Sequence, residues 1–224
     1  MQPGCPLPLL RRFLTVCGRL LVLEGIDGGG KTTQLERLAA WLPGSGLMPA
    51  GADLVVTREP GGTVLGEELR RLLLKPPQGA APCNRAELLL YAADRAQHVE
   101  RLIKPALQAG NWVLSDRFSG ATEAYQGHGR GLDLATIRQL ERMATAGLEP
   151  DITLWLDLPL ADSIRRRRRQ RADRMEAAGS AFLERVHGGF AALATEQGWC
   201  RVDATRSVEA VAADISVALR GRLG

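Results

Sequence analysis

Apolar residues follow two rhythms along this chain. Short runs that are mostly apolar occupy positions 20–24, 54–57, 112–115, 152–156 and 201–203. Short apolar runs of this kind suit strands buried on both faces. Between them, apolar residues recur every third or fourth position, which predicts helices over 32–41, 65–74, 85–108, 134–146, 160–171, 181–196 and 208–220. The punctuation agrees. Asp133 stands in N-cap position, and Gly110, Gly147 and Gly198 follow helices where a left-handed residue is expected. Strands alternating with helices predict a parallel sheet covered on both faces, with ligands bound at the carboxyl ends of the strands. The stretch 43–51 reads as a surface loop. No linker divides the chain, and no repeat appears.

The end of the first strand carries the strongest chemistry. Gly25-Ile26-Asp27-Gly28-Gly29-Gly30-Lys31-Thr32-Thr33 fits the phosphate-loop pattern G-x-x-x-x-G-K-[ST], with an apolar strand before it and a helix after it. Glycines let successive N–H groups face one concavity, and the helix N-terminus adds partial positive charge. Lys31 is placed to reach the β- and γ-phosphates and the Thr32 hydroxyl to ligate Mg²⁺. A nucleoside triphosphate is the expected ligand.

Composition adds bounds to this reading. The chain has 224 residues, enough for one α/β domain, and a net charge of +4 that fits anionic ligands. Four cysteines, Cys5, Cys17, Cys83 and Cys200, form no C-x-x-C pair and read as reduced thiols in the cytoplasm. No run approaches the length of a membrane span. Residues 1–18 have arginines inside their apolar stretch, unlike a secretory signal. They are expected to be a disordered or loosely docked extension before a single domain at 19–224.

Four more polar clusters fall at strand ends or on the long helix. Thr57-Arg58-Glu59-Pro60-Gly61-Gly62-Thr63 ends the second strand; it is either a salt-bridged surface turn or a grip on an acceptor phosphate through Arg58. Asp116 and Arg117 end the third strand. They either close it as a pair or serve chemistry, Asp116 holding Mg²⁺ or its water shell and Arg117 a phosphate. Tyr91 and Arg95 share a helix face, which suits packing or a base stacked on the ring with its edge on the guanidinium. Arg165-Arg166-Arg167-Arg168-Arg169-Gln170-Arg171 is either a solvated face or a lid over the triphosphate. No aromatic residue interleaves it, so nucleic acid is not the expected partner.

Together these motifs resemble the thymidylate kinase family from about Arg19 to the C-terminus. The similarity rests on the phosphate loop with Glu24 before it, on 57–63, on Tyr91-Ala92-Ala93-Asp94-Arg95-Ala96-Gln97-His98, on Asp116-Arg117-Phe118 with Ala124-Tyr125-Gln126-Gly127, on 150–157, and on Asp173-Arg174-Met175-Glu176. The resemblance implies a P-loop nucleoside-monophosphate kinase fold: a five-stranded parallel sheet flanked by helices, with an arginine-rich lid at about 165–180. It implies phosphorylation of dTMP by ATP with Mg²⁺, in a cytoplasmic homodimer. By the same resemblance Asp27 would contact the sugar 3′-hydroxyl, and Arg58 and Arg117 the acceptor phosphate. Tyr91, usually Phe, would stack on thymine, Arg95, Thr122 and Gln126 would meet the base, and Tyr125 would crowd the 2′ carbon. The chain departs from the family at Phe118, usually Tyr or His, and at Ala121, usually Ser. The loop offers no arginine among its variable positions, so Arg165, Arg167 or Arg169 would supply the catalytic one. A deoxynucleoside kinase and a nucleotide-dependent binding protein with little turnover are the rival readings.

Overall fold

A computed structural model describes residues 18–167 and 174–224. Five strands form one sheet: β1 (Leu20–Glu24), β2 (Leu54–Arg58), β3 (Trp112–Asp116), β4 (Ile152–Asp157) and β5 (Cys200–Asp203). All neighbours are parallel, in the order β2-β3-β1-β4-β5. The order reverses direction on either side of β1, so the crevice at its carboxyl end is where a ligand is expected.

The helices are α1 (Lys31–Trp41), α2 (Val64–Leu74), α3 (Asn84–His98), α4 (Lys104–Gln108), α5 (Ser119–Thr122), α6 (Leu134–Thr145), α7 (Leu160–Arg167), α8 (Ser180–Glu196) and α9 (Val208–Leu223). Strand β1 is buried throughout and faces two cores. Leu21 and Leu23 meet Leu38 of α1 and Val211 and Ile215 of α9, while Leu20 and Val22 meet Val99, Ile103 and Phe118. Replacing Leu23 by Ala would leave a cavity costing about 2–5 kcal/mol. A third core joins Tyr125 to Phe182, Val186 and Phe190 of α8.

Two segments depart from the sequence-based expectation. The helix expected over 85–108 widens into a π turn at Val99–Ile103 between α3 and α4. Pro105 has no N–H for the carbonyl four residues earlier, so the ladder cannot stay α-helical there. Residues 119–129, expected as no element, form α5 and a π-helical run, Glu123–Gly129. Their glycines hide the helical pattern, and tertiary contacts supply the stability: Glu24 Oε1 accepts the N–H groups of Phe118 and Ala121, both at 3.0 Å. Of the lid, the structure describes 165–167, at the end of α7, and 174–180. Residues 1–17, most of the expected extension, and Arg169 lie outside the described residues.

Candidate active site

Strand β1 leads into the phosphate loop, and the backbone there needs glycine. Gly25 has φ 135°, and a Cβ on it would meet the Leu156 carbonyl oxygen at 2.6 Å. Gly28 and Gly30 are left-handed as well, at φ 78° and 87°. No side chain caps α1, so its first N–H groups are open to an anion. Lys31 Nζ donates to the carbonyls of Gly25 and Ile26, each at 3.0 Å, and stands 3.5 Å from Asp27 Oδ1. Burial, aided by the charge of Arg117, lowers its pKa against the pull of Asp27, Asp116 and Glu24. Ile26 is buried in the core, Gly29 donates its N–H to the Ile26 carbonyl at 3.3 Å, and Thr32 and Thr33 are exposed.

Strand β3 delivers Asp116 and Arg117 beside this loop. Arg117 takes φ 73°, a conformation that costs a non-glycine residue energy and is commonest at functional sites. Ser115 Oγ donates to its carbonyl at 2.7 Å and steadies the turn. The Arg117 guanidinium donates to Asp27 Oδ1 at 2.6 Å and to the Gly25 carbonyl at 3.0 Å. Tyr125 donates its hydroxyl proton to Asp27 Oδ2 at 3.2 Å. Burial raises the pKa of Asp27, but Arg117 and Lys31 outweigh it and hold the carboxyl well below its usual range. The loop carbonyls, Lys31, Asp27 and Arg117 thus form one charge-balanced cluster.

A cleft lies behind that cluster, lined by Tyr91, Arg95, Thr122, Tyr125 and Gln126 together with Pro60, Leu74 and Met175. Arg95 is 1% exposed and held on four sides. Its Nε donates to Glu59 Oε2 at 2.7 Å, its Nη1 to Thr122 Oγ1 at 2.9 Å and Glu141 Oε2 at 2.6 Å, and its Nη2 to the Phe118 carbonyl at 3.1 Å. Burial lowers the Arg95 pKa, yet Glu141 and Glu59 raise it further still. A guanidinium has five N–H donors, so one on Nη2 stays uncommitted among the described residues. Phe118 is buried under the Arg95 plane, 5.6 Å from its charge centre.

A second cavity follows the phosphate loop and is lined by Lys31, Thr32, Thr33, Thr57, Arg58, Asp116, Arg166 and Arg167. Arg58 is half-exposed and paired with Glu67 Oε1 at 2.7 Å. Four residues, Asp27, Glu59, Arg70 and Arg117, line both cavities. The two clefts therefore meet at a junction of two carboxylates and two guanidiniums. The lid arginines separate in space: Arg165 is 69% exposed and paired with Asp162 at 3.0 Å, whereas Arg167 faces the phosphate cleft and donates to Ser163 Oγ.

The family model described as thymidylate kinase matches residues 23–215 of this chain. The thymidylate kinase of Parasynechococcus marenigrum (strain WH8102) is 62% identical over 207 residues, covering 92% of this chain and 99% of that protein. That of Synechococcus sp. (strain WH7803) is 65% identical over 204 residues, covering 91% and 96%. This chain belongs to the thymidylate kinase family. In three dimensions it is similar to the crystal structure of thymidylate kinase from Ehrlichia chaffeensis, with TM-score 0.73, 32% identity, and coverage of 91% and 99%. The P-loop nucleoside-monophosphate kinase fold and the parallel five-stranded sheet expected from the sequence are thereby borne out.

For a member of this family, the sequence-based list omitted several residues that build the site. Arg70 of α2 reaches the junction and donates to the Pro60 carbonyl at 2.7 Å. Burial lowers its pKa, as does nearby Arg58. Its signal was weak, one of two adjacent arginines on an amphipathic helix. Glu59, Glu87 and Glu141 hold Arg95 and Gln126 from beneath, each buried to 5% exposure or less. Nothing local in the sequence marks an acid as the partner of a base 36 or 46 residues away.

Proposed function

We propose that this chain transfers the γ-phosphoryl group of ATP to dTMP, giving ADP and dTDP on the route to dTTP. An acceptor phosphate oxygen attacks the γ-phosphorus, and the bond to the β–γ bridging oxygen breaks. The observation that carries this reading is the set of four residues, Asp27, Glu59, Arg70 and Arg117, shared by the cleft that holds Tyr91 and Arg95 and the phosphate cleft. An in-line transfer needs two phosphates held end to end amid positive charge, and the shared arginines stand at that meeting point. Arg58, from the phosphate cleft, joins Arg70 and Arg117 on the acceptor phosphate in this reading. Asp27 meets the sugar 3′-hydroxyl and Tyr125 fills the space beside the 2′ carbon. Tyr91 stacks on thymine, and the open Nη2 proton of Arg95, with Thr122 and Gln126, meets its edge.

Gly25, Ile26, Asp27, Gly28, Gly29, Gly30, Lys31, Thr32 and Thr33 form the ATP site in this proposal, with Lys31 leaving its carbonyl partners for the β- and γ-phosphates. Among the lid candidates, the position of Arg167 on the cleft favours it as the catalytic arginine over Arg165. Thr32 and Asp116 are the proposed Mg²⁺ residues. Asp116 Oδ1 is buried and has no hydrogen-bond partner among the described residues, and Thr32 is exposed on the same cleft. Two oxygen donors with phosphates and waters completing the shell fit this cation. When bound, Mg²⁺ neutralises charge on the β- and γ-phosphates.

A second copy of the chain is the proposed partner for the exposed Leu65, Leu89 and Met143, which sit on α2, α3 and α6. No helix among the described residues is long and apolar enough to cross a membrane. ATP as donor and the cysteine pattern support the cytoplasm as the site of reaction. The test is a coupled ADP-release assay with ATP and Mg²⁺, started by adding dTMP. Release that depends on dTMP and stops with EDTA is expected. ATP binding without dTMP-dependent release would instead favour a nucleotide-dependent binding protein.

A further inference from the structure

Glu87 is the least expected part of the acceptor wall. It is fully buried in α3, one turn before Tyr91 and two turns before Arg95, so all three share a face. Three side chains converge on its carboxylate. Arg174, within the lid, pairs through Nη2 with Oε2 at 2.6 Å. Arg130 donates from Nη2 to Oε2 at 3.1 Å and from Nε to Oε1 at 3.3 Å. Gln126 donates from Nε2 to Oε1 at 2.6 Å.

We infer that Glu87 is a positioning residue for base selection: it holds the Gln126 side chain with its carbonyl oxygen, not its amino group, turned to the acceptor cleft. Two guanidiniums pair with Glu87 as a carboxylate, and a carboxylate only accepts hydrogen bonds. The end of Gln126 that faces it must therefore be the amino group. Gln126 is 1% exposed and lines the cleft, and its Oε1 accepts no hydrogen bond among the described residues. Beside it, Arg95 keeps one free Nη2 proton. The wall then offers one donor and one acceptor in a fixed order. The thymine edge carries the complement, a carbonyl at C4 and an N–H at N3. Cytosine carries the inverse, an amino group at C4 and a bare N3. Turning the Gln126 amide by 180° would remove that mismatch at N3. Glu87 forbids the turn, because its carboxylate would then face a carbonyl oxygen. The inference rests on the proposed dTMP reaction.

The experiment measures kcat/KM for dTMP and dCMP, with ATP and Mg²⁺, in the full-length wild type and in Glu87→Gln. A neutral amide at position 87 can present either its oxygen or its amino group, so it permits both orientations of Gln126. The preference for dTMP over dCMP should fall at least about tenfold, the scale set by one mismatched polar contact in a closed site. The loss should come through better use of dCMP and a raised dTMP KM, with the ATP KM unchanged. Equal losses for both acceptors would mean that Glu87 only supports the fold, and would overturn the inference. Wild-type turnover with no dTMP requirement would instead strike at the proposed reaction. Should Glu87→Gln fail to fold, the wild type itself supplies the test. With glutamine labelled by ¹⁵N and Gln126→Leu used for assignment, the Gln126 side-chain N–H pair should be protected from exchange before any dTMP is added. A freely exchanging pair would overturn the inference.

Discussion

The two halves of the site are made of different material. The ATP half is mostly backbone: a glycine loop, open N–H groups at the start of α1, and exposed Thr32 and Thr33. The acceptor half is a buried network of two bonded groups, Arg95 with Glu59, Thr122 and Glu141, and Gln126 with Glu87. Loop residues can be changed with little damage to the core. Network residues serve as both core and recognition surface, and breaking one pair strands its partner's charge away from water. Function and stability should therefore separate in the first half and move together in the second.

The largest effect is expected at the lid. Replacing Arg167 by Ala should lower kcat about 10³–10⁵-fold with little change in melting temperature, while Arg165→Ala should do far less. Equal, mild losses would return the run to a solvated face. Arg95→Ala tests the opposite behaviour. It leaves Glu59 and Glu141 without their buried counter-charge, so chemical denaturation should report a loss of about 3–5 kcal/mol alongside a raised dTMP KM. Weakened dTMP binding with unchanged stability would contradict the picture of a shared network. Lys31→Ala should lower kcat about 10²–10³-fold and leave the denaturation curve in place.

Glu24 ends β1 just before the phosphate loop, and pH sharpens the comparison there. Burial pushes its carboxyl up to about 7, against the opposing charges of Arg117 and Lys31. Unfolded, the same group ionises near 4.5. Between these values the folded protein keeps a proton that the unfolded chain has released. Stability from this group is thus lost as pH rises through that window and is fully lost above about 7. Glu24→Gln cannot titrate, so relative to wild type it should gain about 3 kcal/mol between pH 4 and pH 8. Parallel pH curves for the two proteins would show that Glu24 is ionised in the fold. The smallest expected effect is deletion of residues 1–18, which removes none of the site residues named above; unchanged kcat/KM for dTMP is the expected reading.

The same contrast explains what the sequence made legible. The phosphate loop is nine consecutive residues whose spacing dictates a conformation, so its place between β1 and α1 could be read directly. Strands β1, β3 and β4 were equally plain, because burial on both faces demands apolar runs. The segment 119–129 was opaque: Gly120, Gly127 and Gly129 argue against a helix, and only Glu24, Trp199 and Phe182 packed around it supply the reason for one. Arg58 and Glu59 were read as one turn, yet they part company. Arg58 stays half-exposed on Glu67, and Glu59 turns inward to Arg95 and His98. Adjacent residues on extended backbone face opposite ways, but which one meets the core depends on partners far along the chain.

The central claim is that the buried network selects a thymidine monophosphate for transfer at the phosphate cleft. Its most direct test is the steady-state kcat/KM of the wild-type chain for dTMP, dUMP, dCMP, UMP and CMP, with ATP and Mg²⁺, read by coupled ADP release. The account predicts dTMP first, dCMP rejected at the base edge, and UMP and CMP rejected at the 2′ position beside Tyr125. A preference for CMP or UMP, or ADP release indifferent to the acceptor, would contradict it.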